Sequence, residues 1–554
     1  MLGRRKAQGS LFEAEVWPHP VGSDSIYGRM ASVRDVLFRD DDLAGMYCLD
    51  NGRPSLPPSL LSGVLLLQFH DDVGDEEAVE RLRYDLRWKV ALGLPLDYAG
   101  FHPTSLVVFR RQLLKHGKER YAFERFLQVA REAGFLPEKI RQLLDSSSMR
   151  GAGATQDTYT LLRKGIRRLL RAMGFWVPEK RRGLQADLRG YLDTDKKAAI
   201  DWSDPKARRA ELGRLVGDAD AVLELARAQA DDDQVRTTGW LLTKILGDDV
   251  VVADDGQPKL GEGVARDRLI SWTDPEMRHG RKSAASRWDG VKLQVAEEPE
   301  TELITEVEVT DASAGDGKSL LPLLDRVEEH LAVKVEQAIG DTAYGEADNR
   351  VACAKREIDL VSPLARPTDP EVDKSAFVLD EERGMLTCPG GQTVGEPRQI
   401  KDPQGRLVRQ FMFPRALCSA CQFFARCVRS RKSGESASGK VSGTARRGIG
   451  RTVTLHYHEA VLRAARERQA TPEFRVVYRE RAKVERKIAE LMGRGLRRAR
   501  YVGRRKKRLQ AYWTAAVVNL KRLFKLAKED TARVAGALVR VSAGGDPILV
   551  FGGA

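Results

Sequence analysis

The succession of strand and helix patterns between residues 291 and 362 most constrains the fold of this chain. Two segments, 291–295 and 304–309, alternate apolar and polar residues with the period of half-buried strands. They are followed by a helical pattern, a strand, a helix and a strand, at 320–327, 333–339, 346–356 and 358–362. Strands in direct succession, followed by strands separated by helices, predict a mixed α/β sheet covered by helices.

The composition describes a globular chain with a polyanionic partner. It has 554 residues, of which 42% are hydrophobic and 31% charged, and its formal net charge is +14. This length is enough for several domains. The most apolar run, 60–69, includes Ser62 and Gly63 and is too short to cross a bilayer. Because the first residues also lack the apolar core of a signal peptide, we expect a cytoplasmic protein with no membrane partner.

The first 135 residues carry helical patterns, and we assign them to an N-terminal DNA-binding domain. One helix follows Asp75, and another follows Pro103 and carries the paired arginines Arg110 and Arg111. Short helices joined by tight turns suit a helix-turn-helix-like module, and they suit an ordinary helical bundle about as well. A further helical pattern, at about 160–285, interrupts the segment that contains the sheet.

Three acidic residues are candidates for metal ligands. Asp145 closes a predicted strand at 140–144, and Asp341 follows the strand at 333–339. Glu485 lies on a predicted helix with Thr471 as N-cap and Pro472 as first residue. Acids from two strand ends and one helix can converge on Mg²⁺ or Mn²⁺, which prefer oxygen ligands. Considered singly, each acid is better explained as a turn or capping residue.

Basic residues around Glu485 predict a surface for nucleic acid. Tyr478, Arg481 and Glu485 follow the helical spacing i, i+3, i+7 and so share one stripe of the predicted helix. Nine of the fifteen residues at 494–508 are basic and none is acidic, a density that favours bound phosphates over a solvated basic face. The predicted DNA contacts are Tyr478, Arg481, Arg497, Arg498, Arg500, Arg504, Arg505, Lys506, Lys507 and Arg508, together with Arg110 and Arg111 of the N-terminal domain.

The order of these motifs resembles that of the DDE transposases of bacterial insertion sequences. The resemblance is carried by Asp145 after two leucines, by Gly340-Asp341-Thr342-Ala343-Tyr344, and by Tyr478-x2-Arg481-x3-Glu485. The last motif is similar to the Tyr-x2-Arg-x3-Glu-x6-Lys signature of one group, and residues near 35–115 resemble that group's helical N-terminal domain. The resemblance implies an RNase H-like catalytic core with Asp145, Asp341 and Glu485 as its metal-binding catalytic acids.

One position departs from that signature. Seven residues after Glu485 the group has a lysine, and this chain has Met492. On helical spacing Met492 faces the stripe of Tyr478, so we expect one cation directed at the DNA backbone to be missing.

The resemblance and the patterns together predict five segments. They are a helical N-terminal domain (1–135), the first part of the RNase H-like core with its helical insertion (136–365), a Cys-rich insertion (366–455), the second part of the core with the glutamate helix and basic segment (456–530), and a C-terminal tail (531–554).

Four of the six cysteines cluster in the Cys-rich insertion. Cys388, Cys418, Cys421 and Cys427 have the spacing C-x29-C-x2-C-x5-C. Thiolates two residues apart can share a tetrahedral Zn²⁺, which would stabilise a loop-rich segment with little core. The last spacing is looser than in a zinc ribbon, and four reduced cysteines in a loop are the alternative.

We therefore expect a cut-and-paste transposase that cleaves DNA at transposon ends and joins the freed 3′-OH to target DNA. Its expected partners are double-stranded DNA, at terminal inverted repeats and at the target, and a second copy of the chain in the DNA complex. It would act in the bacterial cytoplasm, at the nucleoid when bound to DNA. The alternatives are an RNase H-like nuclease without strand transfer and a catalytically silent DNA-binding protein, and the presence of all three acids argues against the latter.

Overall fold

The computed structural model describes residues 1–4, 21–48, 52, 54–194, 198–229, 231–265, 267–282, 285–402, 405–428, 449–527 and 531–543. The chain divides into two compact units. The first unit is Met1–Lys334 with Ala482–Ala554, and the second is Val335–Arg481.

Six helices open the first unit. They are α1 (Ile26–Leu37), α2 (Pro58–Asp71), α3 (Asp75–Tyr84), α4 (Leu86–Leu92), α5 (Thr104–Lys115) and α6 (Tyr121–Glu132). The apolar run at 60–69 forms the body of α2, which begins at Pro58 and is buried on all sides. A short helix that is apolar all round belongs in a protein core. Gly93 ends α4 in the left-handed region, with φ +61°, a conformation that glycine adopts without strain.

The next segment contains one long strand and a helical subdomain. Its elements are β1 (Lys139–Arg150), α7 (Thr158–Ala172), α8 (Pro178–Arg182), α9 (Ala186–Asp193), α10 (Pro205–Arg227), α11 (Asp233–Asp249), β2 (Val250–Val252) and β3 (Pro258–Leu260). Helices α7, α10 and α11 pack on one another around a core that includes Leu169, Leu215 and Leu242. The predicted helical insertion is therefore present, but it ends at Asp249. The expectation of helix up to about 285 is wrong, because β2 and β3 pair as an antiparallel hairpin.

Antiparallel strands complete this part of the first unit. They are β4 (Arg278–Arg281), β5 (Arg287–Glu298) and β6 (Leu303–Asp311), followed by α12 (Leu320–Leu331). Strand β5 pairs antiparallel with β1, β4 and β6. The alternating pattern of β6 predicted a half-buried strand, yet residues 303–309 are buried on both faces. Its polar residues have internal partners: Glu306 accepts from Arg120 at 3.0 Å, and Thr305 donates to Gln142.

The second unit begins with the predicted strand–helix–strand order. Its first elements are β7 (Lys334–Ile339, whose first residue belongs to the first unit), α13 (Ala347–Lys355) and β8 (Asp359–Val361). β7 and β8 are parallel, with Ala338 opposite Leu360. Parallel neighbours need a crossover connection, and α13 supplies it. The mixed α/β pattern predicted for 291–362 is confirmed.

The rest of the second unit is built from small sheets and short helices. The elements are β9 (Val378–Asp380), β10 (Met385–Thr387), β11 (Thr393–Val394), β12 (Arg398–Lys401), β13 (Leu407–Pro414), α14 (Arg415–Ser419), α15 (Phe424–Cys427), β14 (Ile449–His456), α16 (Glu459–Gln469) and α17 (Pro472–Arg479). The strands β9 to β14 form two antiparallel sheets, with the strand orders β11-β10-β9 and β12-β13-β14. Phe377, Leu386, Phe411, Phe413 and Leu455 make a small core here.

Three helices return to the first unit. They are α18 (Ala482–Leu491), α19 (Arg504–Leu526) and α20 (Thr531–Ala543), with an irregular turn at Met492–Leu496. Helix α19 packs against α2, α6 and β6, and its residues 509–520 are all buried. Helix α20 packs on α1 and α6, so this part of the predicted tail is not peripheral. Residues 544–554 of that tail lie outside the described residues.

Candidate active site

Asp145 lies inside strand β1 and not at its end. The strand continues to Arg150, and Asp145 is opposite Val295 of β5. The predicted end of the strand after residue 144 is therefore wrong. The side chain is half-buried, and its Oδ1 accepts a hydrogen bond from the Ser146 N–H at 2.8 Å. Strand periodicity places Asp145 on the same face of β1 as Leu143.

Glu485 lies in the first turn of α18 and is exposed. Val484, Ile488 and Leu491 of this helix are buried, and the helix packs on β1 and β5. The Lys483 ammonium group donates to the Pro299 carbonyl at 3.0 Å, next to the end of β5. Helix α18, which carries Glu485, is therefore packed on β1, the strand that carries Asp145, and on its neighbour β5.

Tyr478 and Arg481 do not share one helix with Glu485. Helix α17 begins as predicted, because the Thr471 hydroxyl accepts from the Phe474 N–H at 3.2 Å and Pro472 is the first helical residue. It ends at Arg479, and α18 begins at Ala482. The single helical stripe predicted for these three residues is therefore wrong.

Asp341 follows β7, as the sequence predicts. It is the N-cap of a 3₁₀ turn, Thr342–Tyr344, and its Oδ1 accepts from the Ala343 N–H at 2.9 Å. Its carbonyl oxygen accepts from the Ser362 hydroxyl at 2.6 Å, at the end of β8. Hydrogen bonds at both the side chain and the backbone hold this half-buried acid in one orientation.

Arg350 of α13 fixes the loop that follows Asp341, a role that the sequence did not reveal. Its Nε donates to the Gly345 carbonyl at 3.0 Å, and its Nη2 donates to the Ser362 carbonyl. Burial lowers the pKa of this guanidinium from its ordinary value. Gly345 has no room for a side chain, since a Cβ there would lie 2.6 Å from the Ser362 hydroxyl and 2.7 Å from Arg350 Nη2. Nothing in the spacing of an arginine on a short helix could have indicated these contacts.

Glu297 is a second residue that the sequence did not reveal. It is opposite Leu143 in the register of β1 and β5, so it lies on the same face as Asp145. Its side chain is fully buried, and neither carboxylate oxygen has a hydrogen-bond partner among the described residues. Burial raises the pKa of Glu297 to about 7, against the opposing effect of Lys487 on α18.

Much of the basic run at 494–508 is paired within the first unit. Lys507 is 0% exposed and its Nζ lies 2.6 Å from a carboxylate oxygen of Asp274, which is also 0% exposed. The prediction that Lys507 contacts DNA is therefore wrong. Further ion pairs of the run include Arg500–Asp72, Arg504–Asp311, Arg505–Glu119 and Arg508–Glu308.

Arg497, Arg498 and Lys506 of this run are exposed. Two backbone hydrogen bonds join this segment to Arg150 at the end of β1. The Arg150 N–H donates to the Arg497 carbonyl at 2.9 Å, and the Ala499 N–H donates to the Arg150 carbonyl at 2.7 Å. As DNA contacts these residues stay predictions, together with Arg500, Arg504, Arg505 and Arg508.

The paired arginines of α5 differ in their surroundings. Arg110 is 7% exposed and donates to both carboxylate oxygens of Asp75, at 2.8 and 2.5 Å. It also lies over the ring of Tyr501, 5.3 Å from the centroid. Arg110 therefore holds the helices of the first unit together, and its prediction as a DNA contact is wrong. Arg111 is exposed, and its role stays a prediction.

Met492 does not face a binding surface. It is 7% exposed and begins the irregular turn that separates α18 from α19. Gly495 in this turn has φ +87°, and a Cβ there would lie 2.1 Å from an Asp72 oxygen. Tyr478 lies on α17, which ends at Arg479 before α18 begins at Ala482, so the helical spacing used to place residue 492 beside Tyr478 does not apply.

The four clustered cysteines line one small cavity in the second unit. Cys388, Cys418, Cys421 and Cys427 share it with aromatic residues that include Phe377 and Phe413. Gly390 permits the close approach, since a Cβ there would lie 2.9 Å from Cys421 Sγ and 3.7 Å from Cys388 Sγ. Burial, and then the other three thiols, raise the pKa of Cys427, while Arg451 lowers it.

Within the described ranges, no group of three or more His, Cys, Asp or Glu side chains is arranged so that it could hold a metal ion. The four thiols therefore surround one cavity without forming a finished site. Both metal predictions stay predictions.

Two segments of the chain match models of known protein families. Residues 387–524 match the transposase DDE domain, and residues 19–112 match a transposase domain, DUF772. The chain therefore contains two segments that are similar to transposase domains. The first match includes Glu485 and the four clustered cysteines, and the second includes residues 35–112 of the helical N-terminal region. The predicted resemblance to a DDE transposase of an insertion sequence is confirmed. No curated protein and no solved structure matches the chain.

In the part of the chain that the structure describes, no helix combines the length and apolar character needed to cross a bilayer.

Proposed function

We propose that this chain is a cut-and-paste transposase that cleaves the ends of its element and joins the freed 3′-OH to target DNA. The observation that carries the proposal is the pair of family matches, one of which contains Glu485. Asp145, Asp341 and Glu485 are the proposed catalytic acids. Each is at least partly exposed, and each offers carboxylate oxygens, the donors that Mg²⁺ and Mn²⁺ prefer.

The proposed reaction is an in-line displacement at phosphorus. Asp145, Asp341 and Glu485 would hold divalent ions, whose positive charge would supply activation of the attacking oxygen and stabilisation of the leaving oxygen. The contribution of the chain is to hold three acids in fixed positions: Asp145 by its strand register, Asp341 by its turn and Glu485 by the packing of α18. Tyr478 and Arg481, in and just after α17, would position phosphates.

We also propose that the core is RNase H-like. The order of elements supports this proposal. Three antiparallel strands, β1, β5 and β6, are followed along the chain by α12, β7, α13 and β8, and β7 and β8 are parallel. The helical subdomain and the Cys-rich segment are then insertions, as the resemblance to DDE transposases implies. The five domain boundaries predicted from the sequence are kept as part of this proposal.

A structural Zn²⁺ in the Cys-rich segment is part of the proposal. Four thiols line one cavity there, and the surrounding core is small, a setting in which a metal adds folding free energy. Binding would draw Cys388, Cys418, Cys421 and Cys427 into a tetrahedral set.

The proposed partners are the two ends of the element, a target duplex and a second copy of the chain in the DNA complex. Because the proposed substrate is cellular DNA, the proposed compartment is the bacterial cytoplasm, with the protein at the nucleoid when it is bound.

The test uses the full chain, labelled duplexes carrying the DNA that flanks its coding sequence, and a separate target duplex. With Mg²⁺ or Mn²⁺ we expect cleavage that leaves a 3′-OH, followed by a joined product. Asp145→Asn, Asp341→Asn and Glu485→Gln should each abolish both products while DNA binding survives. Glu473→Gln, an exposed acid on α17, is the matched control and should keep full activity.

Each rival function gives a different result in this assay. Cleavage without a joined product identifies a nuclease. Sequence-specific binding without cleavage in any divalent ion identifies a catalytically silent DNA-binding protein. Cleavage retained by Asp341→Asn would overturn the catalytic assignment.

A further inference from the structure

A groove of about 520 Å³ lies in the second unit beside the residue that follows Asp341. Its walls are the 3₁₀ turn after β7, the loop after β8, the end of α16 and one side of α17. The lining side chains that matter here are Thr342, Arg366, Phe474, Arg475, Tyr478 and Arg479. None of the lining residues is acidic.

The three arginines of this groove differ from most of the basic run at 494–508. Arg366, Arg475 and Arg479 are exposed, and no carboxylate pairs with any of them in the described part of the chain. Arg475 donates instead to a backbone carbonyl, that of Ala470, at 3.2 Å. Guanidinium groups that face solvent together without internal acids are suited to phosphate groups, which they can bind through two parallel hydrogen bonds.

The groove is built on fixed elements. Gln469 at the end of α16 accepts from the Leu364 N–H at 2.8 Å, which ties the loop after β8 to the helices. Phe474 and Tyr478 stack with ring centroids 5.7 Å apart and an interplanar angle of 16°, and Phe474 is buried. This aromatic pair gives the groove a flat apolar wall, a surface on which a nucleotide base or sugar can pack.

We infer that this groove holds the backbone of the DNA strand that reaches Asp341. Arg475 and Arg479 are one helical turn apart, and Arg366 lies on the loop wall of the same groove, so the three guanidinium groups contact successive phosphates. Tyr478 packs against the nucleotide between them. The inference rests on the proposed function and assigns the phosphate contacts to three residues that the sequence motifs did not indicate.

The test compares two triple variants of the full chain that lose the same charge. Arg366→Gln/Arg475→Gln/Arg479→Gln removes the groove cations. Arg383→Gln/Arg398→Gln/Arg415→Gln removes three exposed arginines elsewhere in the second unit and is the matched control. Binding of an end duplex is measured at several salt concentrations, because each phosphate contact contributes about 0.9 to the slope of log affinity against log salt.

For the groove variant we expect affinity at low salt to fall at least tenfold and the slope to decrease by about 2–3, as loss of three phosphate contacts requires. The control should keep the slope of the wild type. Arg366→Lys/Arg475→Lys/Arg479→Lys, which keeps the charge, should also keep most of the slope and shows that the fold tolerates substitution at these positions.

The outcomes separate this inference from the proposed function. If the wild type cleaves and joins DNA but the groove variant keeps the slope of the control, the groove assignment is wrong and the transposase proposal stands. If the wild type binds no DNA, both are overturned.

Discussion

At the scale of single residues, Glu297 makes the stability of the folded protein depend on pH. It lies on β5, the strand that pairs with the strand of Asp145. The pKa of the Glu297 carboxyl is raised from 4.5 to about 7 by burial. A raised folded-state pKa gives stability that is present below pH 4.5 and is lost as the pH rises through 7. The shift corresponds to about 3 kcal/mol in the free energy of unfolding.

The first prediction is that Glu297→Gln removes this dependence. The free energy of unfolding of the variant, relative to wild type, should rise by about 3 kcal/mol between pH 4.5 and pH 8. Denaturant unfolding across this range measures it, with the exposed Glu300→Gln as control. A difference between variant and wild type that is independent of pH would show that Glu297 ionises normally.

The second prediction concerns Lys507 and its exposed neighbour Lys506. Lys507→Met leaves the Asp274 carboxylate buried without its cation and should lower the free energy of unfolding by about 3–5 kcal/mol. Lys506→Met, next to it in the sequence, should change stability by less than about 0.5 kcal/mol. Thermal or denaturant unfolding compares them. Equal, small effects at both positions would mean that Lys507 reaches solvent and can contact DNA.

At the scale of elements, Arg350 determines how firmly the turn of Asp341 is held. The third prediction is that Arg350→Met frees the Gly345 and Ser362 carbonyls and weakens this turn. Hydrogen exchange should show faster exchange at Ala343, whose N–H bonds to Asp341, while Arg350→Lys restores part of the protection. Lys355→Met, exposed on the same helix, should leave exchange unchanged. Unaltered protection in Arg350→Met would remove the positioning role.

The fourth prediction tests zinc in the Cys-rich segment. The purified chain should contain one Zn²⁺ by elemental analysis, and Cys418→Ser/Cys421→Ser should contain none and unfold at a lower temperature. Cys48→Ser, at an exposed cysteine elsewhere, should keep the metal. A wild-type chain that is fully folded without zinc after chelation would reduce the four cysteines to ordinary thiols lining a cavity.

Periodicity predicted some elements well and others poorly, for physical reasons. Strands β5 and β6 were predicted because their apolar and polar side chains alternate. The length of β1 was missed, since Asp145 and the three serines after it lie on a strand of mixed burial. The break between α17 and α18 was missed because no glycine or proline marks Glu480 or Arg481.

At the candidate site, the pattern of charged residues was less informative than the order of the acidic motifs along the chain. The basic run at 494–508 contains no acid of its own, so its partners could not be read locally. Asp72, Glu119, Asp274 and Asp311 come from segments remote in sequence, and only the fold brings them to these cations. The order of Asp145, Asp341 and Glu485, by contrast, is a property of the sequence and needs no contact information.

At the scale of the whole molecule, the proposed acids come from both compact units. Asp145 and Glu485 belong to the first unit and Asp341 to the second, which begins within β7 and ends at Arg481. The central claim is that these three acids act at one metal centre.

The fifth prediction tests that claim directly by metal-directed cleavage of the polypeptide. The full chain, bound to an end duplex, is loaded with Fe²⁺ in place of Mg²⁺ and treated with ascorbate and peroxide, so that radicals cut the backbone near the ion. Cuts close to residues 145, 341 and 485 in the same sample, all suppressed by excess Mg²⁺ and all lost in Asp341→Asn, are the result expected. Cuts near Asp145 and Glu485 that persist in Asp341→Asn, with none near residue 341, would contradict a shared centre.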